Sequence, residues 1–210
     1  MNQKNGKNSL GLDSCFEDLE NPVELFKKWF SEAEKSEIND PNAVALATSD
    51  NENQPNVRMV LLKGLSDKGF VFYTNFNSKK GQEIKKNLKA SMCFHWKSLR
   101  RQVRIIGRVE EVSSSEADEY YKSRPYKNKI GAWASAQSEK LEKREIFLKK
   151  IKEFENKYKD EKSVPRPPHW SGWRLLPSEI EFWLDGEGRI HERLVYFKES
   201  DKWKKKLLYP

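Results

Sequence analysis

Ala43-Val44-Ala45-Leu46-Ala47-Thr48, then Asn56-Val57-Arg58-Met59-Val60-Leu61-Leu62-Lys63, then Gly69-Phe70-Val71-Phe72-Tyr73-Thr74-Asn75 succeed one another across short polar connectors. The connectors are Asp50-Asn51-Glu52-Asn53 and Ser66-Asp67-Lys68-Gly69. Two further runs, Ser91–Trp96 and Gln102–Val112, are joined by Lys97-Ser98-Leu99-Arg100. Short runs rich in β-branched and aromatic residues and bounded by turn formers read as strands. Strands in succession on short polar turns argue for an antiparallel meander that closes or packs on itself.

Helical patterns surround the meander. Pro22 opens an amphipathic stretch with Leu25, Phe26, Trp29, Phe30 and Ala33 on one side. A short helix is expected from near Ser78, between the third and fourth strands. Ser113-x-x-Glu116 is a capping-box pattern. The helix it opens must end near Arg124, because Pro125 restricts the residue before it. The longest helix is expected from about Glu139 to Tyr158, with Phe147, Ile151, Phe154 and Tyr158 as its apolar stripe. Pro165-Arg166-Pro167-Pro168 then stiffens a link to a C-terminal hairpin. No repeat or domain-sized break in composition divides the chain. The organisation expected is a mobile N-terminal arm over residues 1–20 and one α+β domain over residues 21–210.

The hairpin runs from Ile180-Glu181-Phe182-Trp183-Leu184 through Asp185-Gly186-Glu187-Gly188 to Arg189-Ile190-His191-Glu192-Arg193. Asp-Gly between two such runs is a strong hairpin signal. Alternation along the returning strand puts Arg189, His191 and Arg193 on one face, in a row about 13 Å long. The row suits a flat, negatively charged ligand or two ligands side by side. It reads equally as a solvated edge strand of a basic protein.

The formal charge of +8, from 40 Lys+Arg against 32 Asp+Glu, favours anionic partners without choosing among nucleic acid, lipid and phosphorylated metabolites. No apolar run reaches membrane-spanning length, and the first residues contain no secretory h-region. Cys15 and Cys93 are too few for a disulfide framework. A cytoplasmic protein with reduced thiols is therefore expected. His95, His169 and His191 have no zinc-type spacing, so no metal is expected. Dinucleotide-binding, P-loop and hydrolase-elbow patterns do not occur.

Several groupings suit phosphate. Ser78 is a good N-cap, placing Lys79 and Lys80 in a first helical turn, where they oppose the helix dipole unless an anion binds there. Ordinary surface lysine is the alternative. Tyr120 and Arg124 lie four apart at a helix end, a phenol and a guanidinium on one side; a surface pair closing the helix is the alternative. Arg58 and Lys63 flank an apolar strand but differ in parity, so a regular strand sends them to opposite faces. They serve different ligands, or a bulge redirects one, or they are snorkelling ends of a core strand.

In their order along the chain these residues resemble the pyridoxine/pyridoxamine 5'-phosphate oxidase family. The resemblance runs from about Pro22 to Pro210. It rests on Arg58–Lys63, Phe72-Tyr73-Thr74-Asn75 with Ser78-Lys79-Lys80, Arg101-Gln102-Val103 and Ser123-Arg124-Pro125. It continues through Ile130-Gly131-Ala132-Trp133, Gln137-Ser138, Glu181-Phe182-Trp183 and Arg189-x-His191-x-Arg193. The resemblance implies an antiparallel FMN-binding split β-barrel with peripheral helices, dimeric through its C-terminal hairpin, with FMN at the subunit interface. By the same carry-over, Arg58, Met59, Val60, Leu61, Leu62, Lys63, Tyr73, Thr74, Lys79 and Lys80 would hold FMN. Gln102, Gln137, Ser138, Trp183 and Arg193 would complete that site. Lys63, Tyr120, Arg124 and Asn128 would grip the substrate phosphate, with Arg189 and His191 against the reacting ring.

The implied reaction oxidises pyridoxine or pyridoxamine 5'-phosphate to pyridoxal 5'-phosphate. Hydride passes from C4' to the flavin, and O2 reoxidises the flavin to give H2O2. Three departures from the family pattern stand out. Asn128 replaces the usual Ser, Lys79 replaces a frequent Arg, and residues 1–20 lack a basic lid segment. A non-catalytic flavin- or pyridoxal-phosphate-binding protein on the same fold is the alternative. A nucleic-acid-binding barrel rests on net charge alone, and neither nucleic acid nor membrane is expected as a partner.

Overall fold

The computed structural model describes residues 7–210. The strands are β1 (Ala43–Ser49), β2 (Pro55–Leu61), β3 (Gly64–Ser66), β4 (Gly69–Asn75), β5 (Lys89–Trp96), β6 (Arg101–Glu111), β7 (Trp170–Leu184), β8 (Glu192–Glu199) and β9 (Lys202–Leu207). They form one sheet in the order β2-β1-β5-β6-β7-β4-β3, with β8 on β7 and β9 on β8. Every pairing is antiparallel.

Strand β7 splits the barrel. Its first half, Trp170–Leu175, pairs with β4, while Glu179–Leu184 pairs with β8. The other edge of β7 is occupied by β6 along nearly its whole length. The β6 ladder slips between Ile106 and Gly107, opposite Pro177-Ser178. A bulge is where a sheet tolerates a residue lacking an N–H. Gly107 is required there, since a Cβ would stand 2.0 Å from the Leu176 carbonyl oxygen.

Helix α1 (Pro22–Ser36) is capped by the Asn21 side chain and turns Leu25, Phe26, Trp29 and Ala33 into the barrel core. The Phe26 ring meets Phe70 at 4.9 Å and Phe94 at 5.0 Å, and Trp29 meets Phe182 at 5.1 Å. These contacts fasten α1 to three strands, β4, β5 and β7.

Residues 7–20 are not a free arm. Phe16 is fully buried, its ring 5.2 Å from that of Trp29. Trp29 Nε1 donates to the Cys15 carbonyl at 2.9 Å, and the Asp13 N–H donates to the Glu192 carboxylate at 2.6 Å. Leu10, Leu12, Phe16 and Leu19 follow neither a helical nor a strand period, so periodicity did not mark them as core. Residues 1–6 of the expected arm lie outside the described residues.

Helices α2 (Lys79–Lys86) and α3 (Ser114–Ser123) begin where their caps predict: Ser78 accepts from the Gly81 N–H and Ser113 from the Glu116 N–H. The Glu116 carboxylate does not complete a capping box. It holds Arg174 on β7 instead, at 2.7 and 2.8 Å. Helix α4 (Tyr126–Ala134) was not expected; Pro125, which ends α3, also starts α4. Helix α5 (Arg144–Lys157) starts five residues later than expected. Its Phe154, with Tyr158 just beyond it, packs around Trp133, each ring at 5.5 Å. The lysine-rich tail forms β9, with Lys202, Lys204 and Lys206 exposed.

The C-terminal hairpin has a longer loop than its sequence suggests. β8 begins only at Glu192, opposite Leu184, and Glu187–Arg189 is a short 3-10 turn. Gly188 and Arg189 have φ near +63° and +65°. Arg189 and His191 thus sit in the loop, and strand alternation does not align them with Arg193. A left-handed pair consumes residues that a two-residue turn would leave in the strand.

Candidate active site

A cleft of about 880 Å³ lies between β2 and β4 on one side and α3 and α4 on the other. β2 and its exit contribute Met59, Val60, Leu61 and Lys63, and β4 contributes Tyr73 and Thr74. Lys80 enters from α2, Tyr120 and Arg124 from the end of α3, Asn128 from α4, and Gln137 from the loop beyond. The structure thus gathers predicted residues spread over nearly eighty positions of sequence. Strand β2 stops at Leu61, so the parity rule does not reach Lys63, whose N–H bonds the Val71 carbonyl at 2.8 Å.

At one end, Lys80 Nζ donates to Thr74 Oγ1 at 3.0 Å, Gln137 Oε1 at 3.1 Å and Ser78 Oγ at 3.2 Å. All three acceptors are neutral. Burial, reinforced by the Arg58 guanidinium, pulls the ammonium down to about 8. A half-buried cation bonded only to neutral acceptors is chemically suited to an external anion.

At the other end, Tyr73 stacks on Tyr120 with ring centroids 4.0 Å apart, and Trp170 continues the stack at 5.3 Å from Tyr73. The Arg124 guanidinium lies over Trp170 at 4.6 Å, and its Nη1 is buried without a hydrogen-bond partner. Burial lowers the Arg124 pKa, and the same cause pushes Tyr73 up to about 12 and raises Tyr120. Both phenols therefore keep their protons as donors. An orphaned guanidinium donor beside a phenol suits a second anion, and Lys63 lines the same cleft.

Other predicted residues lie outside the cleft lining. Leu62 is in the barrel core, Lys79 is exposed at the start of α2, and Ser138 is exposed beside Gln137. Arg58 faces inward with Thr48 and Asn56, bonded to the Leu46 carbonyl at 3.1 Å and to Thr48 Oγ1 at 2.5 Å. Gln102, Trp183 and Arg193 form one cross-strand row through β6, β7 and β8. Arg193 Nε donates to buried Glu181 at 2.7 Å. His191 stays with its own loop: Nδ1 is 3.1 Å from both the Gly186 nitrogen and Asp185 Oδ1, and its ring lies 4.6 Å from that of Trp183.

Sequence reasoning missed Trp170, Asn75, Ser135 and Phe147, which also line the cleft. Asn75 Nδ2 donates to the Ser135 carbonyl at 3.3 Å, tying β4 to the loop that carries Gln137. Trp170 is placed by its pairing with Asn75, a long-range relation that no local pattern encodes.

Residues 30–158 match the family model described as pyridoxamine 5'-phosphate oxidase, and residues 170–210 match the pyridoxine 5'-phosphate oxidase C-terminal dimerisation region. The chain belongs to the pyridoxamine 5'-phosphate oxidase family. A Pelagibacter ubique protein named pyridoxine/pyridoxamine 5'-phosphate oxidase is 60% identical, over 98% of this chain and 100% of its own length. A Bartonella quintana protein of the same name is 53% identical, over 97% of this chain and 99% of its own. Among solved structures, PhzG from Burkholderia lata, in complex with tetrahydrophenazine-1-carboxylic acid, is 29% identical with a TM-score of 0.89. That match covers 98% of this chain and 100% of PhzG. A pyridoxamine 5'-phosphate oxidase-related, FMN-binding protein from Nostoc punctiforme shares the fold at 17% identity. Its TM-score is 0.72, and the match covers 90% of this chain and 98% of that one.

The cleft of this oxidase-family chain fits FMN by the chemistry of its donor set. Lys80 has only neutral partners for a phosphate to outcompete, and Met59 and Leu61 offer exposed apolar edges to a flat ring. The Arg124 end remains for a second anion.

Proposed function

We propose that this protein is a homodimeric, FMN-dependent oxidase that converts pyridoxine 5'-phosphate or pyridoxamine 5'-phosphate to pyridoxal 5'-phosphate. One observation carries the reading. A single cleft is lined by three cationic side chains, Lys80, Lys63 and Arg124, and among the described residues none has an ion-pair partner. Two phosphates, one on the cofactor and one on the substrate, satisfy that arrangement.

Lys80, Thr74 and Gln137 would hold the cofactor phosphate, with Arg58 behind them, and Met59–Leu61 would border the ring. FMN held there would supply the redox chemistry, accepting hydride from C4' with O2 as final acceptor and H2O2 as product. Arg124, Lys63, Tyr120 and Asn128 would fix the substrate phosphate and so set the position of C4'. Arg189 and His191 would come to the substrate ring across the homodimer, along with the Gln102-Trp183-Arg193 row. Arg189 would stabilise charge as hydride departs, and no obligatory general base is assigned.

The purified protein should be yellow and release FMN on denaturation. It should form peroxide with pyridoxine 5'-phosphate and little with unphosphorylated pyridoxine. Equal turnover of the two would overturn the assignment of Arg124 and Lys63 to a phosphate.

A further inference from the structure

We infer that Glu83 is a positioning residue for the cofactor-phosphate end of the cleft, holding the Arg58 guanidinium beside Lys80 so that two cations act on one phosphate. The inference rests on the flavin reading above. Glu83 lies three residues after Lys80 on α2, and only 3% of it is exposed. Its Oε2 accepts from Thr48 Oγ1 at 2.5 Å and from Arg58 Nη2 at 3.2 Å, and its Oε1 accepts from Asn56 Nδ2 at 2.7 Å. One carboxylate thereby ties the helix carrying Lys80 to β1 and to the strand carrying Arg58.

The arrangement engages a particular end of Arg58. Nη1 is held by the Leu46 carbonyl and Thr48 Oγ1, and Nη2 by Glu83. Nε has no hydrogen bond among the described residues. The edge formed by Nε and Nη2 is a two-donor fork of the kind that grips phosphate oxygens in parallel.

A purely structural ion pair accounts for less. A buried pair contributes little net stability compared with apolar packing at the same place. Here, moreover, Arg58 and Lys80 repel each other, and the Glu83 charge offsets that repulsion on the Lys80 side. Glu83 thus keeps two cations close before any ligand arrives.

The test is fluorescence titration of the apoprotein with FMN and, separately, with riboflavin, which lacks the phosphate. Glu83→Gln keeps shape and removes charge. It should raise the Kd for FMN about tenfold or more while changing that for riboflavin less than about twofold. In an Arg58→Ala background the same substitution should add nothing, because its target is gone. Equal weakening of both ligands, or FMN affinity unchanged or tightened, would overturn the role of Glu83. Wild-type protein that does not distinguish FMN from riboflavin would instead overturn the flavin-phosphate reading itself. Should Glu83→Gln not fold, Thr48→Val removes the hydroxyl bridging Arg58 and Glu83. It should weaken FMN about threefold or more with riboflavin unaffected, and equal effects on both would again overturn the role.

Discussion

The Arg124 guanidinium lies over the indole of Trp170, 4.6 Å from the ring centroid, and its Nη1 is buried without a hydrogen-bond partner. Cation–π contact holds the group in place while leaving its in-plane donors free. A buried donor without an acceptor costs about 1–3 kcal/mol, a cost that a bound phosphate removes. Arg124→Lys keeps the charge but loses the fork. The KM for the phosphorylated substrate should rise about tenfold or more, with FMN content unchanged. Steady-state peroxide assays with absorbance at the flavin band check both, and an unchanged KM would remove Arg124 from the substrate site.

Lys80 gives a pH prediction with a definite sign. Its folded-state pKa is lowered from 10.5 to about 8 by burial and by Arg58. Between about 8 and 10.5 the unfolded chain holds more protons on this residue than the folded one, so its contribution to stability rises with pH. The apoprotein should therefore gain stability relative to Lys80→Met as pH climbs through that window. FMN affinity should move the opposite way, falling as the ammonium loses its proton above about 8. Paired urea melts and FMN titrations from pH 7 to 10 check this, and parallel trends would remove Lys80 as the phosphate cation.

Local chemistry in the sequence revealed most of the strands and the caps at Ser78 and Ser113, and it pointed to Lys80, Tyr120 and Arg124. Met59–Leu61, Tyr73, Thr74, Asn128 and Gln137 entered only through the family resemblance. Lys80 was legible because a lysine in a first helical turn opposes the dipole, and Tyr120 with Arg124 because four residues make one helical turn. What escaped depends on partners far away in sequence. Trp170 enters the cleft only through pairing with Asn75, and Phe16 enters the core only because Trp29 receives it. The Arg189/His191/Arg193 row failed for a local reason: the left-handed residues Gly188 and Arg189 delay β8 until Glu192. Asn-Gly or Asp-Gly turns announce a hairpin without fixing its loop length.

Phe16 tests whether residues 7–20 belong to the folded core. Its side chain is fully buried against Trp29, which itself meets Phe182 at 5.1 Å. Phe16→Ala should cost about 3–5 kcal/mol in urea unfolding, the range for a large aromatic leaving a cavity. A loss below about 1 kcal/mol would mean that this segment detaches in solution, as a free arm would.

The register of the sheet predicts a face on which two copies of the chain would meet. Met59 pairs with Ala45, Ala45 with Cys93, Cys93 with Arg104 and Arg104 with Glu181, and directly opposed residues share a face. Gln102 and Trp183 are two residues further along on that face, and Arg193 stands opposite Trp183. The same face carries Val57, 70% exposed, and Met59, 64% exposed, beside the small side chains of Ala45 and Ala47. An exposed apolar strip of this kind marks an interaction surface. Laid against a second copy, it would place the Trp183–Arg193 row, which shares this face, at the subunit contact. Val57 does not line the cleft, so Val57→Asp separates assembly from direct contact with the ligand. An unpaired carboxylate buried at the interface should yield a monomer by light scattering at micromolar concentration, together with loss of bound FMN. A Val57→Asp dimer that retains its flavin would place the subunit contact on another surface.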